Sequence, residues 1–223
     1  AVVIGYDRHT DVSVIRIDGE IDPLETDDGA EPRAGDRVAL VDPTGPDESR
    51  VVREPVSTSA VRGGDSLIGV IRLDRPLGDA LPGAPALDRH GDVVGIATAT
   101  ADDAPAAVIP IGIARAVADE IIDLGAAAHP LMGVTARDAR PDENAALGAF
   151  VTAVDAEGPA AAGGVEAGDV IVSVGGIPVA SLTELVVALR EHEPGETVAV
   201  TVDRDGRPVD CSVVLGSVLE AAA

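Results

Sequence analysis

The groups in this sequence suited to nucleophilic or acid–base chemistry are four histidines, one cysteine and scattered hydroxyls and carboxylates. Acyl transfer through a covalent intermediate needs a nucleophile, a His to take its proton, a carboxylate to orient that His, and donors for an oxyanion. The stretch "LPGAPALDRHGDVVGIAT" (81–98) has the Gly/Pro punctuation of a tight active-site turn, followed by a strand at Val93, Val94 and Ile96. It holds no Ser, Thr or Cys before Thr98. His9 stands two residues from Asp11 on one short segment, too close to be oriented by it in a triad, and reads as a polar loop residue beside a turn. His90, His129 and His192 fall in a turn, a linker and a helix end. No His/Asp/Glu set has metal-ligand spacing, so neither a metal nor a cofactor is expected. "STSAV" (57–61) offers hydroxyls, but the chain has no lysine to serve as a base, and the stretch reads as a loop between strands. Cys211, in the alternating run "VDCSVVLG", reads as a small core residue; a lone cysteine builds neither a disulfide framework nor a thiolate metal site.

The elements that would position these groups are mainly strands. The chain has 223 residues, 46% of them hydrophobic, enough to bury a core. Tyr6 and Phe150 are its only aromatics, so Val, Ile, Leu and Ala must fill that core, and the β-branched share favours sheet. Short β-type runs, "AVVIGY", "DVSVIRI", "RVALV", "RVVREPV" and "SLIGVIRL", alternate with Asp/Gly/Pro-rich connections, as in an all-β barrel or sandwich. "DVVGIAT" and "AAVIPI" continue the series. "IGIARAVADEIIDLG" then reads as a helix, with Ile113, Val117, Ile121 and Leu124 on one face and Gly125 ending it. "AAAHP" (126–130) is a plausible boundary. Beyond it, "MGVTAR", "AFVTAVD", "DVIVSVGG", "TVAVTVDRD" and "VDCSVVLG" read as strands, with one helix at "SLTELVVALREH" opened by a Ser181/Glu184 capping box. "DRDGRP" (203–208) reads as a tight turn, and "LEAAA" as a frayed tail. The formal charge of −23, with all 16 basic residues arginine, repels phosphate backbones and anionic membranes and argues against nucleic-acid binding. No apolar run approaches the roughly 20 residues that span a bilayer, and no signal peptide is visible. The chain starts directly in strand-like sequence, which suggests a processed or truncated protein.

Several segments resemble the HtrA family, a trypsin-like serine protease domain followed by a PDZ domain. "PLMGV" (130–134) resembles the family's carboxylate-binding loop, and "GPAAAGGVEAGDVIVSVGGIPVASLTELVVALREHEPGETVAVTVDRDG" (158–206) follows the PDZ pattern almost without gaps. "YDRHTDVSVIRID" (6–18) resembles the segment carrying the catalytic Asp, which would be Asp11, and "AGDRVALVDPTG" (34–45) resembles another protease segment. The resemblance implies a mainly β fold. A trypsin-like domain over 1–127 would comprise part of a first barrel, all of a second and a closing helix. A small α+β PDZ domain would occupy 129–218.

The family's nucleophile motif is Gly-Asn-Ser-Gly-Gly-Pro, and a gapless alignment through Asp74, Gly91 and Gly95 sets Ala80-Leu81-Pro82-Gly83-Ala84-Pro85 on it. Pro82 takes the serine position and, lacking an N–H, also removes an oxyanion donor. Such a donor is worth about 2.7–4 kcal/mol of transition-state stabilisation. Asp11 is then either a relic of the triad or a strand-edge cap. In the PDZ-like part the resemblance assigns the carboxylate loop to Leu131, Met132, Gly133 and Val134, with Met132 as an adaptable lining, and the opposite wall to the 181–192 helix through residues such as Leu185 and Leu189. The expected function is that of a catalytically inactive HtrA-like protein binding peptide C-termini or extended segments as a scaffold or regulator, extracytoplasmic or membrane-anchored in the cell envelope. It would work alone or as a homo- or hetero-oligomer with HtrA-type relatives. The alternatives are an active quality-control endopeptidase, a structural subunit of an HtrA-type assembly, and a PDZ-like domain that only packs against the protease relic.

Overall fold

The structure, a computed structural model, describes residues 1–26, 32–42, 45–46, 49–60, 66–77, 82–100, 104–140 and 147–219. The chain forms two compact units, Ala1–Ala127 and Ala128–Leu219.

In the first unit β1 (Val2–Asp7) pairs with β2 (Val12–Arg16) as a two-stranded sheet. The strands that follow are β3 (Arg37–Asp42), the short β4 (Gly45–Pro46), β5 (Arg50–Ala60), β6 (Ser66–Leu73), β7 (Pro85–Leu87), β8 (Val93–Thr98) and β9 (Ala107–Pro110). Pairing runs β3-β5-β6-β9-β8-β7, antiparallel throughout, and β7 returns to β3 through Ala39↔Leu87 and Leu40↔Ala86. That last pairing closes a barrel, and closure removes the open sheet edges that would template aggregation. Alternation along each strand sends Val38 and Leu40, then Ile71 and Leu73, inward to meet Val94 and Val108. The expected piece of a first barrel corresponds to the β1–β2 sheet, and the expected second barrel to the closed one.

Helix α1 (Ile111–Leu124) buries Ile111, Ala114, Val117 and Ile121. It packs so closely on β1 that a Cβ on Gly5 would lie 2.6 Å from Ile121 Cγ2. The predicted stripe is therefore offset. Val117 and Ile121 face inward, but Leu124 is 72% exposed, because it lies at the last position before Gly125 turns the chain into the left-handed region (φ 82°). Gly125 donates its N–H to the Ile121 carbonyl at 3.0 Å and ends the helix where expected. A second correction concerns "STSAV": Ser57, Thr58 and Ser59 belong to β5 rather than to a loop, since the ladder with β6 continues through Ser59↔Leu67 and Ala60↔Ser66. Val61 lies outside the described residues.

The second unit holds β10 (Ala128–Leu131), β11 (Val134–Asp138), β12 (Ala149–Val154), α2 (Pro159–Ala162), β13 (Val170–Val174), β14 (Ile177–Pro178), α3 (Leu182–Arg190), β15 (Thr197–Arg204), β16 (Arg207–Val214) and β17 (Gly216–Leu219). The main sheet has the order β11-β12-β13-β15-β16 with β14 beside β13, while β10 pairs with β17. The core is almost wholly aliphatic, with Val151, Ile171, Val200, Leu185, Val213 and Leu215 buried together. The short α2 was not anticipated; the expected turn at 203–208 is present, with Asp205 (φ 54°) and Gly206 (φ 77°) joining β15 to β16. Of the expected frayed tail, Leu219 ends β17 and residues 220–223 lie outside the described residues.

The capping box forms. Ser181 Oγ accepts the Glu184 N–H at 3.1 Å, and Glu184 Oε2 accepts the N–H of Ala180 at 2.7 Å, one residue before the cap. Ser181→Ala is expected to lower the stability of this unit by about 1 kcal/mol, read as a lower midpoint in urea denaturation; an unchanged midpoint would show the cap to be inert.

Candidate functional site

The 7–11 turn is built around Asp7, only 1% exposed, whose carboxylate accepts the N–H groups of His9 (3.3 Å) and Thr10 (3.1 Å) and the Thr10 hydroxyl. His9 is exposed in that turn, as the sequence reading has it. The turn delivers Asp11 in the left-handed region (φ 60°). Its carboxylate accepts the Tyr6 hydroxyl at 3.2 Å on one oxygen and the Thr98 hydroxyl on the other. Thr98 is the last residue of β8, so Asp11 ties the two-stranded sheet to the barrel. One residue earlier, the Ala97 carbonyl accepts the Gly83 N–H at 2.7 Å, and the Ala97 N–H returns to Ala84 O at 2.8 Å. The Pro82–Gly83 turn and the Asp11 carboxylate are thus both fastened to the end of β8. Pro82 is exposed, and Gly83 has φ 90°; Ala80 and Leu81 lie outside the described residues.

The approach to that turn is gripped from β5. Buried Arg50 donates to the carbonyls of Leu77 (2.7 Å) and Pro76 (3.3 Å). The Val51 N–H donates to Asp74 Oδ1 at 2.9 Å, and this bond holds the Asp74 carboxyl below its usual range. Sequence reasoning missed Arg50 as a clamp and Thr98 as the partner of Asp11, because both contacts join residues far apart in the chain. Cys211 is buried as expected, and burial pushes its thiol above the usual range. Among the described residues no group of three or more His, Cys, Asp or Glu is placed to hold a metal ion, and no helix is long and apolar enough to cross a membrane.

In the second unit, β11 is an edge strand, paired only with β12 among the described residues. Its free side lies toward α3, whose first N–H, at Leu182, donates to Asp138 Oδ1 at 2.7 Å at the far end of β11. At the near end is the 131–133 loop. Leu131 is 39% exposed, and Gly133 adopts φ 79°. The Met132 carbonyl accepts the Ala160 N–H at 2.8 Å, and the Gly133 carbonyl accepts the Asp155 N–H at 2.9 Å. With these carbonyls fastened on the 155–160 side, the loop's backbone conformation is fixed. Val134 is half-buried against the core.

Two side chains expected at the groove lie elsewhere. Met132 and Leu185 are each 2% exposed and belong to the core. The physical reason is that the apolar stripe of a helix is spent first on the interior. The Met132 backbone stays in the loop, and Leu189 is half-buried at the core's edge. An open strand edge beside a glycine-shaped loop and a helix wall can receive an extended segment as an added strand.

A closed antiparallel barrel with a terminal helix, joined to a small sheet unit of this order, defines a class: a trypsin-like protease fold followed by a PDZ domain. Residues 130–215 match the PDZ domain family model. Solved structures of the same fold include the HtrA-type protease AlgW with tripeptide (TM-score 0.72, 23% identity, covering 97% of this chain and 76% of that one). The serine endoprotease from Yersinia pestis is a second (TM-score 0.62, 22% identity, 97% and 75%). In sequence, the chain is 31% identical over 237 residues to serine protease PepD of Mycobacterium tuberculosis, covering 96% of this chain and 50% of that protein. It is 28% identical over 240 residues to the periplasmic pH-dependent serine endoprotease DegQ of Escherichia coli, covering 100% and 52%. The chain is a homologue of the HtrA-type serine proteases with a PDZ domain, and it spans about half the length of the curated relatives it matches.

Proposed function

We infer that this chain is a catalytically inactive HtrA-type homologue that works by binding peptide C-termini or extended segments through its PDZ domain, as a scaffold or regulator. The observation that supports the reading is that the 81–98 stretch holds no Ser, Thr or Cys before Thr98, with Pro82 where the resemblance aligns the family's nucleophile and the Pro82–Gly83 turn and Asp11 both bonded to the end of β8. Proline supplies neither a hydroxyl to attack a carbonyl nor an N–H to stabilise the oxyanion. Asp11 then serves as a tie between the two-stranded sheet and the barrel. The binding half of the reading rests on the open β11 edge, the Leu131–Gly133 loop and the α3 wall with Leu189. A place in the cell envelope is supported by relatives named as periplasmic proteases, and assembly with HtrA-type relatives follows from the same kinship.

The test pairs two measurements on the chain. A fluorophosphonate probe and unfolded casein should give no adduct and no cleavage, while C-terminal peptides should bind with measurable affinity. A site-specific adduct accompanied by casein turnover would overturn inactivity and favour an endopeptidase. Absence of any peptide binder would overturn the binding role and favour a structural subunit.

A further inference from the structure

Helix α3 is held differently at its two ends. Past its C-terminal end, His192 donates its N–H to the Leu189 carbonyl at 3.1 Å and places Nδ1 3.0 Å from Glu196 Oε1. The His192 ring rests on Gly175 in the β13–β14 turn, so closely that a Cβ on that glycine would collide with it. Glu196 is itself fixed, because its carboxylate accepts the Glu193 N–H at 3.2 Å and its carbonyl accepts the Leu215 N–H at 2.8 Å. This end of the helix is wedged between the 193–196 turn and the main sheet.

At the N-terminal end the tie to the sheet comes from Asp138, exposed at the last position of β11. Its Oδ1 accepts the Leu182 N–H at 2.7 Å, a bond between residues 44 positions apart. An ionised acceptor strengthens such a bond, and the positive end of the helix dipole favours the carboxylate there. The neighbouring Ser181/Glu184 box bonds residues of the helix entrance to one another. Val134, Ala136 and Asp138 alternate onto one face of β11, and the first two pack on the core. The Asp138 carboxylate therefore reaches from one wall of the groove to the other, at the end away from the 131–133 loop.

A strand can add between β11 and α3 only while the two walls stand at a set separation. Any time α3 spends displaced weakens the apparent affinity in proportion. Resting on the peptide-binding reading above, we propose that Asp138 is a positioning residue for peptide binding. By holding the first turn of α3 against β11, it sets the width of the groove before a peptide arrives. With the other end wedged by His192, loss of this tie frees the first turn and leaves the last one in place.

The experiment is a fluorescence-anisotropy titration of the full chain with a labelled pool of decapeptides, apolar at the last position and randomised elsewhere. Asp138→Ala should weaken binding about three- to tenfold, as when the competent groove is populated about a third to a tenth of the time. The loss should persist at high salt, which would erase a simple charge effect. Asp138→Asn keeps an oxygen for the Leu182 N–H and should bind within about twofold of the unaltered chain. Gly206→Ala, strained in the distant β15–β16 turn (φ 77°), lowers stability without touching the tie and should leave affinity unchanged. Amide exchange of the peptide-free Asp138→Ala chain should quicken over 183–187 and stay unchanged over 188–192, and saturating peptide should restore the protection. Undiminished affinity in Asp138→Ala, or unmoved protection over 183–187, overturns the positioning role and leaves the binding role standing. So does Asn as weak as Ala, or an equal loss in Gly206→Ala. If the unaltered chain binds no peptide, the binding role itself fails and the positioning role falls with it.

Discussion

Replacing Arg204 with alanine is expected to cost the second unit about 3–5 kcal/mol, the usual consequence of stranding a buried charge. Asp169 is 1% exposed, and both its carboxylate oxygens accept from the Arg204 fork, Oδ1 from Nε at 2.7 Å and Oδ2 from Nη2 at 2.8 Å. The same guanidinium reaches Glu166 Oε1 (2.8 Å) and the Gly164 carbonyl (2.7 Å), binding the end of β15 to the 164–169 turn that leads into β13. Asp169, first by hydrogen bonding and then by its charge, raises the arginine pKa, so the cation is fixed at every pH the protein meets. With the guanidinium gone, the Asp169 carboxylate keeps only the Glu166 N–H at 2.8 Å and no counter-charge. Arg204→Lys restores a charge but not the planar two-bond fork, and should fall between the two. Removing both partners, as Arg204→Met with Asp169→Leu, should recover much of the loss, because the penalty lies in the unpaired ion. Amide exchange read by mass spectrometry separates the units. Protection should drop across 128–219 and stay unchanged in the β3–β9 barrel. Wild-type protection in Arg204→Ala would show that the network contributes nothing to folding.

The parts of this architecture that sequence reveals are those with local causes. The Ser181/Glu184 box, the Gly125 stop and the Asp205–Gly206 turn each follow from residues within four positions of one another. Barrel closure joins Leu40 to Ala86, and nothing in either tripeptide around them specifies that pairing; only the resemblance supplied it. Ser57–Ser59 read as a loop because a Ser-Thr-Ser run shortly after Pro55 shows no apolar alternation, yet the ladder to β6 holds these residues in β5. The candidate sites divide in the same way. Asp11 and the 131–134 loop were visible as motif positions, whereas Thr98, Arg50 and the Arg204–Asp169 pair were not, because each contact spans more than twenty residues. Met132 and Leu185 were misplaced for a different reason. Apolar side chains next to a groove and apolar side chains beneath it have the same sequence signature, and burial goes to whichever lies nearer the centre of the unit.

Gly133→Val is expected to weaken binding of C-terminal peptides about tenfold or more while leaving the unit folded. Gly133 holds φ 79°, a conformation that costs a residue with a side chain about 1–2 kcal/mol, and 1.4 kcal/mol is a factor of ten in affinity when spent on the binding geometry. Space is also short. A Cβ would stand 3.3 Å from Pro159 Cδ and 3.4 Å from Gly158 Cα. Those neighbours cannot easily retreat, because the loop carbonyls of Met132 and Gly133 are bonded to Ala160 and Asp155 on the same side. The strain is relieved most directly by rotating the 132–133 peptide units, which turns their N–H groups away from an incoming carboxylate. A control separates backbone strain in general from strain at this loop. Gly206 has nearly the same φ, 77°, in the β15–β16 turn with open space around its Cα, so Gly206→Ala should lower stability and leave peptide affinity unchanged. Anisotropy titration of both variants, with amide exchange to confirm folding, gives the answer. If Gly133→Val folds and binds peptide as tightly as the unaltered chain, the carboxylate is received somewhere other than the Leu131–Val134 loop.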